Sequence, residues 1–132
     1  YYPLTDRRNP AVADLVGAWQ KPLATLASLS KQWGKPVLLT EVGYHSLDTA
    51  ASRPWEWDLP GRLSLTTQAR CYEALFLALR DHPRVRGVFL WKWHPDYANA
   101  GGATDTEYTP ERKPAEQVLR RAFAAIEREG RP

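Results

Sequence analysis

The sequence predicts an α/β fold with parallel strands, because two short apolar runs alternate with segments of helical periodicity. The runs KPVLLTE (35–41) and RGVFLWKW (86–93) are too short for buried helices and rich in β-branched or aromatic residues. The segments around them repeat apolar residues every three to four positions. Strands separated by helices of roughly ten or more residues are typical of βαβ units, in which the strands are parallel.

The amino-terminal region predicts two short helices that meet at Pro22. Asn9 followed by Pro10 is typical of a helix N-cap with proline at the first helical position. Pro22 restarts the helix, whose apolar stripe ends before a glycine. Because Trp19 and Trp33 lie on the apolar stripes of these helices, we expect both in the core.

The first strand is predicted over residues 35–41, and a long loop follows it. Its consecutive apolar residues indicate cover on both faces. From residue 43 to about residue 65 the chain has no sustained period. Loops beyond about 12 to 15 residues are usually functional or disordered, and three aromatic side chains argue against disorder here: Tyr44, Trp55 and Trp57.

The second half of the chain predicts a helix, a strand, a loop and a last helix. Ser64 or Thr66 can cap the first of these helices. In the strand over 86–93 the period of two places three aromatic side chains on one side: Phe89, Trp91 and Trp93. A loop follows, and Pro114 starts the last helix.

The composition argues against several classes of protein. The 132 residues hold 18 Lys plus Arg against 15 Asp plus Glu, and the densest basic cluster is interleaved with glutamates. We therefore expect no nucleic-acid partner. No apolar run approaches the ~20 residues that span a bilayer, so no membrane partner is expected. The single cysteine, Cys71, lies on the apolar side of a predicted helix, which favours a buried thiol.

The chain is interpreted as one domain over residues 1–132 that is part of a longer protein. No composition shift, low-complexity tract or repeat beyond the βα alternation marks a boundary. Two full strands cannot close a sheet, and exposed strand edges are an aggregation hazard. The chain has no Met and opens on YYPL, which is typical of the end of a strand. We therefore expect it to need upstream strands.

Candidate functional residues collect where the strands end, which is where parallel α/β folds build their active sites. Glu41 ends the first strand, where an unpaired carboxylate is costly, so the structural alternative is a Glu that pairs with Arg or Lys or caps the following turn. Aromatic residues are concentrated in the same places: Tyr1, Tyr2, Tyr44, Trp55, Trp57, Trp91 and Trp93. Aromatic rings stack on the C–H faces of sugars, so a carboxylate among them suits glycoside chemistry, with simple packing as the alternative.

No metal and no cofactor are expected. The three histidines lie in separate segments without the spacing of metal ligands: His45, His82 and His94. The glycines form neither a phosphate-binding loop nor a dinucleotide fingerprint. Ser46 and Ser52 lack the context of a nucleophile elbow.

Four segments, taken in order, resemble the carboxyl-terminal half of glycoside hydrolase family 113, a group of TIM-barrel β-mannanases. They are KPVLLTEVGYHS, PWEW, GVFLWKWHPD and EYTPERKPAEQVLRRAF, within a match from Tyr1 to about Phe123. The resemblance implies the carboxyl-terminal part of a (β/α)8 TIM barrel, about strands six to eight. Tyr1 and Tyr2 would end strand six, 35–41 would be strand seven and 86–93 strand eight.

The resemblance also implies a retaining glycoside hydrolase that acts on β-1,4-mannan-like polysaccharide or oligosaccharide. Glu41 matches the nucleophile, and Tyr2 or Tyr1 matches a tyrosine that donates a hydrogen bond to it. Trp91 is the first choice, and Trp93 the second, for the floor beneath the sugar at the cleaved position.

Trp55 and Trp57 resemble loop residues that border the cleft, and Tyr44 lies with them among the expected sugar contacts. A retaining enzyme needs a second carboxyl group about 5 to 5.5 Å from the first. The family's acid/base glutamate ends strand four, upstream of this chain. We therefore expect an active full-length parent and an isolated chain without normal turnover. The alternatives are a non-catalytic polysaccharide-binding barrel and a structural α/β unit.

Overall fold

The computed structural model describes residues 2–130, and it confirms the α/β fold. The elements are α1 (Val12–Trp33), β1 (Val37–Val42), α2 (Leu65–Leu79), β2 (Val85–Leu90) and α3 (Pro114–Arg128). β1 and β2 pair in parallel, with α2 as the crossover between them. Within the described part of the chain, no helix is long and apolar enough to cross a membrane.

The amino-terminal region forms one helix, so the prediction of two helices that meet at Pro22 was wrong. Asn9 does not cap it. Its Oδ1 atom instead accepts hydrogen bonds from the hydroxyls of Ser64 at 2.9 Å and Thr67 at 2.8 Å. Pro22 removes one backbone donor, but the buried stripe continues through it: Leu15, Trp19 and Leu23. Burial of this stripe outweighs the lost hydrogen bond.

Trp33 was wrongly placed in the core, whereas Trp19 is fully buried as expected. The Trp33 side chain is 70% exposed on the last turn of α1. The buried face of α1 continues from Leu23 to Ser30, and the helix ends three residues later, before Trp33 can be covered.

The core lies between one face of the sheet and the helices. Leu39 and Val42 of β1 project into it, and α2 contributes its apolar side, including the buried thiol of Cys71. On the opposite face Leu38 is 56% and Phe89 is 61% exposed. The expected cover on both faces is therefore not present within residues 2–130.

The ends of the elements differ from the predictions by a few residues. Ser64 is the N-cap of α2, and its hydroxyl accepts a hydrogen bond from the Thr67 N–H at 3.3 Å. Pro114 starts α3 as predicted. β2 ends at Leu90, so the predicted strand over 86–93 was too long at its carboxyl end. Tyr2, which was expected to end a strand, lies outside the described strands.

Candidate functional site

A pocket of about 150 Å³ opens at the carboxyl end of β1. It is lined by aromatic rings, small or apolar residues and a single carboxylate: Tyr2, Glu41, Val42, Gly43, Tyr44, Pro54, Trp55, Trp57, Trp91 and Tyr108. The structure thus brings most of the predicted site residues together. Trp93 is not among the lining residues, and Tyr1 lies outside the described residues.

Glu41 is exposed at the end of β1, where its carboxylate borders the pocket. Its neighbours along the strand and turn, Val42 and Gly43, also line the pocket. Within residues 2–130 no Arg or Lys pairs with Glu41. The structural alternative of a salt-bridged Glu41 is therefore not realised in the described part of the chain, and the carboxylate is open to a ligand.

The two strand ends approach each other closely enough to require a glycine. The Trp91 N–H donates a hydrogen bond to the Val42 carbonyl at 2.8 Å. A Cβ atom at Gly43 would lie 2.1 Å from the Trp91 carbonyl oxygen, so a side chain at this position would collide with backbone. The peptide bond between Trp91 and Lys92 is cis. The close approach of Gly43 to the Trp91 backbone sets the Trp91 indole, 43% exposed, beside the pocket.

The long loop after β1 supplies two exposed indoles to the same pocket. Trp55 is 44% and Trp57 is 58% exposed. The Trp57 ring centroid lies 6.0 Å from that of Tyr108, which in turn lies 3.8 Å from the ring of His45. The Tyr108 hydroxyl donates a hydrogen bond to the Pro54 carbonyl at 2.8 Å. The Trp57 indole therefore packs against the buried rings of Tyr108 and His45.

Tyr108 is a pocket residue that the sequence reasoning missed. It follows β2 in the chain, in the loop that leads to α3, and it is only 3% exposed. Its place in an aromatic-containing loop at the carboxyl edge of a strand is the same signal that identified Trp55 and Trp57. Tyr108 lies too far along the chain from the end of β2 for this signal to identify it.

A buried lysine joins the loop after β1 to the loop after β2. Lys113 Nζ donates hydrogen bonds to Ser46 Oγ at 2.7 Å, to Asp105 Oδ1 at 2.8 Å and to the Glu107 carbonyl at 2.8 Å. Burial lowers the pKa of the Lys113 ammonium, and the Asp105 carboxylate partly opposes this shift. The ammonium thus fixes both loops on either side of Tyr108.

Two further polar side chains hold the same region. Gln68 of α2 donates through Nε2 to the carbonyls of Tyr44 and Tyr108, each at 2.9 Å. Glu111, which is fully buried, accepts a hydrogen bond from the His94 N–H at 2.9 Å. These contacts satisfy backbone groups that the irregular loops leave unpaired. The pocket wall is therefore held by α2 as well as by the loops.

Two of the predicted tyrosines lie at the inner margin of the pocket. Tyr44 is 1% exposed, and its ring packs edge-on against Tyr72 with centroids 5.3 Å apart. The Tyr2 ring lies 5.1 Å from that of Trp19. Burial raises the pKa of both the Tyr44 and Tyr2 phenols above the ordinary value of a tyrosine. Tyr44 borders the pocket while belonging mainly to the core.

In the described part of the chain, no group of three or more His, Cys, Asp or Glu side chains is placed to hold an ion. His45 instead lies between loops, with its ring nitrogens near the carbonyls of Thr106 at 3.3 Å and Glu56 at 3.1 Å. These contacts give His45 a structural role between the loops.

Comparisons with known proteins identify relatives of this chain. It shows no match to the curated proteins. Among solved structures, it is similar to a GH113 β-1,4-mannanase in a complex, with a TM-score of 0.75 and 28% identity over 83% of this chain and 36% of that one. It is also similar to the GH113 β-mannanase AaManA from Alicyclobacillus acidocaldarius in complex with ManMIm. There the TM-score is 0.73 and the identity 36%, over 84% of this chain and 36% of AaManA.

The chain spans about 36% of the length of these mannanases. The aligned region includes most of the described elements, because it covers at least 83% of this chain. The model of Glycoside Hydrolase Family 113 matches residues 1–113, which is most of the sequence. This chain therefore belongs to glycoside hydrolase family 113.

Proposed function

We propose that this chain is the carboxyl-terminal part of a retaining glycoside hydrolase that acts on β-1,4-mannan-like polysaccharide. The observation that carries the proposal is the exposed Glu41 carboxylate in a pocket lined by aromatic rings, at the carboxyl end of β1. Family membership and the likeness to mannanases support a carbohydrate substrate. The proposed site has the position that parallel α/β enzymes use for catalysis.

Glu41 is the proposed nucleophile. Its ionised carboxylate attacks the anomeric carbon of the bound sugar while the bond from that carbon to the leaving oxygen breaks. A separate protonated carboxyl group gives its proton to the leaving oxygen. Water then attacks the glycosyl-enzyme ester, and the second group, now a carboxylate, takes the proton of that water. An open Glu41, without a pairing cation in residues 2–130, fits the first role.

The second carboxyl group must come from outside the described pocket, because Glu41 is the only carboxylate among its lining residues. The loop carboxylate Glu56 lies 2.8 Å from the Arg53 guanidinium, and Glu111 is buried beneath His94. We assign the acid/base role to a glutamate on upstream strands of a complete barrel. The isolated chain then lacks normal turnover.

The aromatic residues are proposed to hold the sugar. Trp91 is the proposed floor at the cleaved position, because it lines the pocket and exposes its indole, whereas Trp93 does not line it. Trp55 and Trp57 border the cleft. Tyr44 contributes at the inner margin.

A proposed hydrogen bond to Glu41 comes from a tyrosine hydroxyl, for which Tyr2 and Tyr1 are the candidates. Tyr2 lines the pocket with Glu41. A donor to the carboxylate favours its ionised form, which a nucleophile needs.

A chimeric barrel tests the proposal. Residues 1–132 replace the aligned carboxyl-terminal part of AaManA, which then supplies the remaining strands. We expect the chimera to hydrolyse mannan and Glu41→Gln to lower kcat by roughly a thousandfold or more, since removal of a catalytic nucleophile has effects of that order. Glu127→Gln, on the exposed side of α3, is the matched control and should leave kcat unchanged.

Several outcomes separate the candidate functions. A folded Glu41→Gln chimera that keeps its turnover contradicts the assignment of Glu41. Labelling by a 2-fluoro mannoside that persists in this variant would move the nucleophile elsewhere. Mannan binding without hydrolysis by the folded unsubstituted chimera would favour the alternative of a non-catalytic polysaccharide-binding barrel.

A further inference from the structure

A cation contacts the aromatic rim of the candidate site. The Lys92 ammonium lies over the Trp57 ring, 5.3 Å from its centroid. Trp57 is a lining residue of the pocket and is 58% exposed. Within residues 2–130 no carboxylate forms an ion pair with Lys92. The aromatic face is therefore the contact that the structure shows for this ammonium.

The backbone beneath Lys92 is held firmly, although its side chain is long and flexible. The preceding residue, Trp91, is tied to β1 through the Val42 carbonyl and lies against Gly43. After Lys92, the His94 N–H donates to the buried Glu111 carboxylate at 2.9 Å. The side chain thus starts from a defined point at the pocket edge, and its ammonium can exchange partners by rotation of its own bonds.

The side chains that line the pocket leave a role for the Lys92 ammonium as a hydrogen-bond donor. The lining residues comprise aromatic rings, apolar or small residues and the Glu41 carboxylate, without a cationic side chain. A sugar that stacks on an indole presents hydroxyl oxygens around its ring, and those oxygens accept hydrogen bonds. A charge-assisted hydrogen bond from an ammonium is stronger than a neutral one. A partly exposed cation–π contact is weak by comparison.

We propose that Lys92 is a substrate-binding residue that determines affinity at the Trp57 position of the cleft. In the free protein its ammonium rests on the indole face. When a neutral sugar residue occupies that face, the ammonium moves aside and donates a hydrogen bond to a hydroxyl oxygen of that sugar. This inference rests on the proposed function, because it takes a mannan-like oligosaccharide as the ligand.

Titration of the 132-residue chain with mannohexaose, followed by tryptophan fluorescence, tests the inference. Lys92→Met keeps the aliphatic stem but removes the charge. We expect it to raise Kd by about tenfold, which is the order of one charge-assisted hydrogen bond. Lys92→Arg retains a cationic donor and should stay within about twofold of the unsubstituted chain. Lys31→Met, at the exposed end of α1, is the control and should leave Kd unchanged.

Trp57→Ala separates failure of this inference from failure of the proposed cleft. If Trp57→Ala weakens binding and Lys92→Met does not, the role of Lys92 is overturned while the aromatic cleft stands. If Lys92→Met and Lys92→Arg weaken binding equally, the donor role is also overturned. Absence of binding by the folded unsubstituted chain overturns the inference too, whereas the Glu41 chimera decides the proposed function independently.

Discussion

Two regions of the sheet differ in how well their side chains are covered. The loop edge is the end of the sheet where the loops after β1 and β2 meet, and the open strand face is the face that carries Leu38 and Phe89. At the loop edge, the Lys113 ammonium and the Gln68 Nε2 atom donate hydrogen bonds to the backbone carbonyls of Glu107 and Tyr108. On the open face, Leu38 and Phe89 leave 56% and 61% of their surfaces exposed. The difference shows that hydrogen bonds within the chain hold the loops of the candidate site, whereas Leu38 and Phe89 remain uncovered within residues 2–130.

The helix side of the sheet also has an uncovered region. A hollow of about 560 Å³ lies between α2, β2 and α3, with Phe76, Val88 and Phe123 among its lining. Large exposed apolar regions usually mark sites of contact with further structure. The lining of this hollow also includes charged side chains such as Glu73, Arg86 and Arg121, whereas the candidate site is lined mainly by aromatic rings and one carboxylate.

The largest expected effect separates the helix core from the open strand face. Leu75 of α2 is fully buried, so Leu75→Ala should lower the free energy of unfolding by about 2–5 kcal/mol. Leu38→Ala should change it by less than about 0.5 kcal/mol in the isolated chain, since half-exposed positions contribute little. Urea denaturation monitored by circular dichroism measures both changes.

The same pair of variants in the AaManA chimera sharpens the test. There the upstream strands should cover Leu38, and Leu38→Ala should become destabilising. Equal costs for the two substitutions in the isolated chain, measured under monomeric conditions, would contradict the idea that this face lacks cover.

A smaller effect tests the polar loop edge. Lys113→Met removes the ammonium that joins Ser46, Asp105 and the Glu107 carbonyl. The groups left behind lose their hydrogen bonds, so we expect a loss of about 1–3 kcal/mol in the free energy of unfolding. Lys31→Met serves as the exposed control in the same denaturation experiment. Indistinguishable stability of the two variants would show that this network does not hold the loops.

The smallest expected effect is the pH dependence of the loop after β1. Burial raises the pKa of the Asp48 carboxyl, but the Arg62 N–H and the Arg8 guanidinium outweigh it and lower the pKa below its usual 3.8. The folded state therefore favours the ionised form. Asp48 contributes stability above about pH 3.8 and loses it as the pH falls through the folded-state pKa.

Thermal unfolding between about pH 2 and pH 7 measures this contribution. Asp48→Asn should be less stable than the unsubstituted chain near neutral pH, and the difference should shrink in acid. Parallel curves for the two proteins across the whole range would exclude the linkage.

Local signals in the sequence predicted the elements that depend on neighbouring residues. Ser64 caps α2 and Pro114 starts α3 because each satisfies or removes a donor within its own turn. The prediction failed at Pro22, where the packing of Trp19 and Leu23 carries α1 through a local break. It failed at Trp33 because exposure depends on which segments lie nearby.

In the candidate site, too, some residues could be predicted from the sequence and others depended on tertiary packing. The carboxyl ends of the strands place Glu41 and Trp91 at one edge, which strand order alone predicts. Tyr108 joins them only because the Lys113 and Gln68 contacts fold a distant loop against the pocket. The packing of this loop against the pocket leaves no periodic pattern in the sequence.

By itself, the sequence determined the alternation of helices and strands, the cap of α2, the start of α3 and the edge where a carboxylate meets aromatic residues. These properties arise from periodicity and from turn chemistry within a few residues. Only the tertiary structure decided that Tyr108 supports Trp57, that Trp93 lies outside the pocket and that Leu38 remains open. The physical reason is that burial and side-chain contact depend on segments far apart in the chain, which local patterns do not encode.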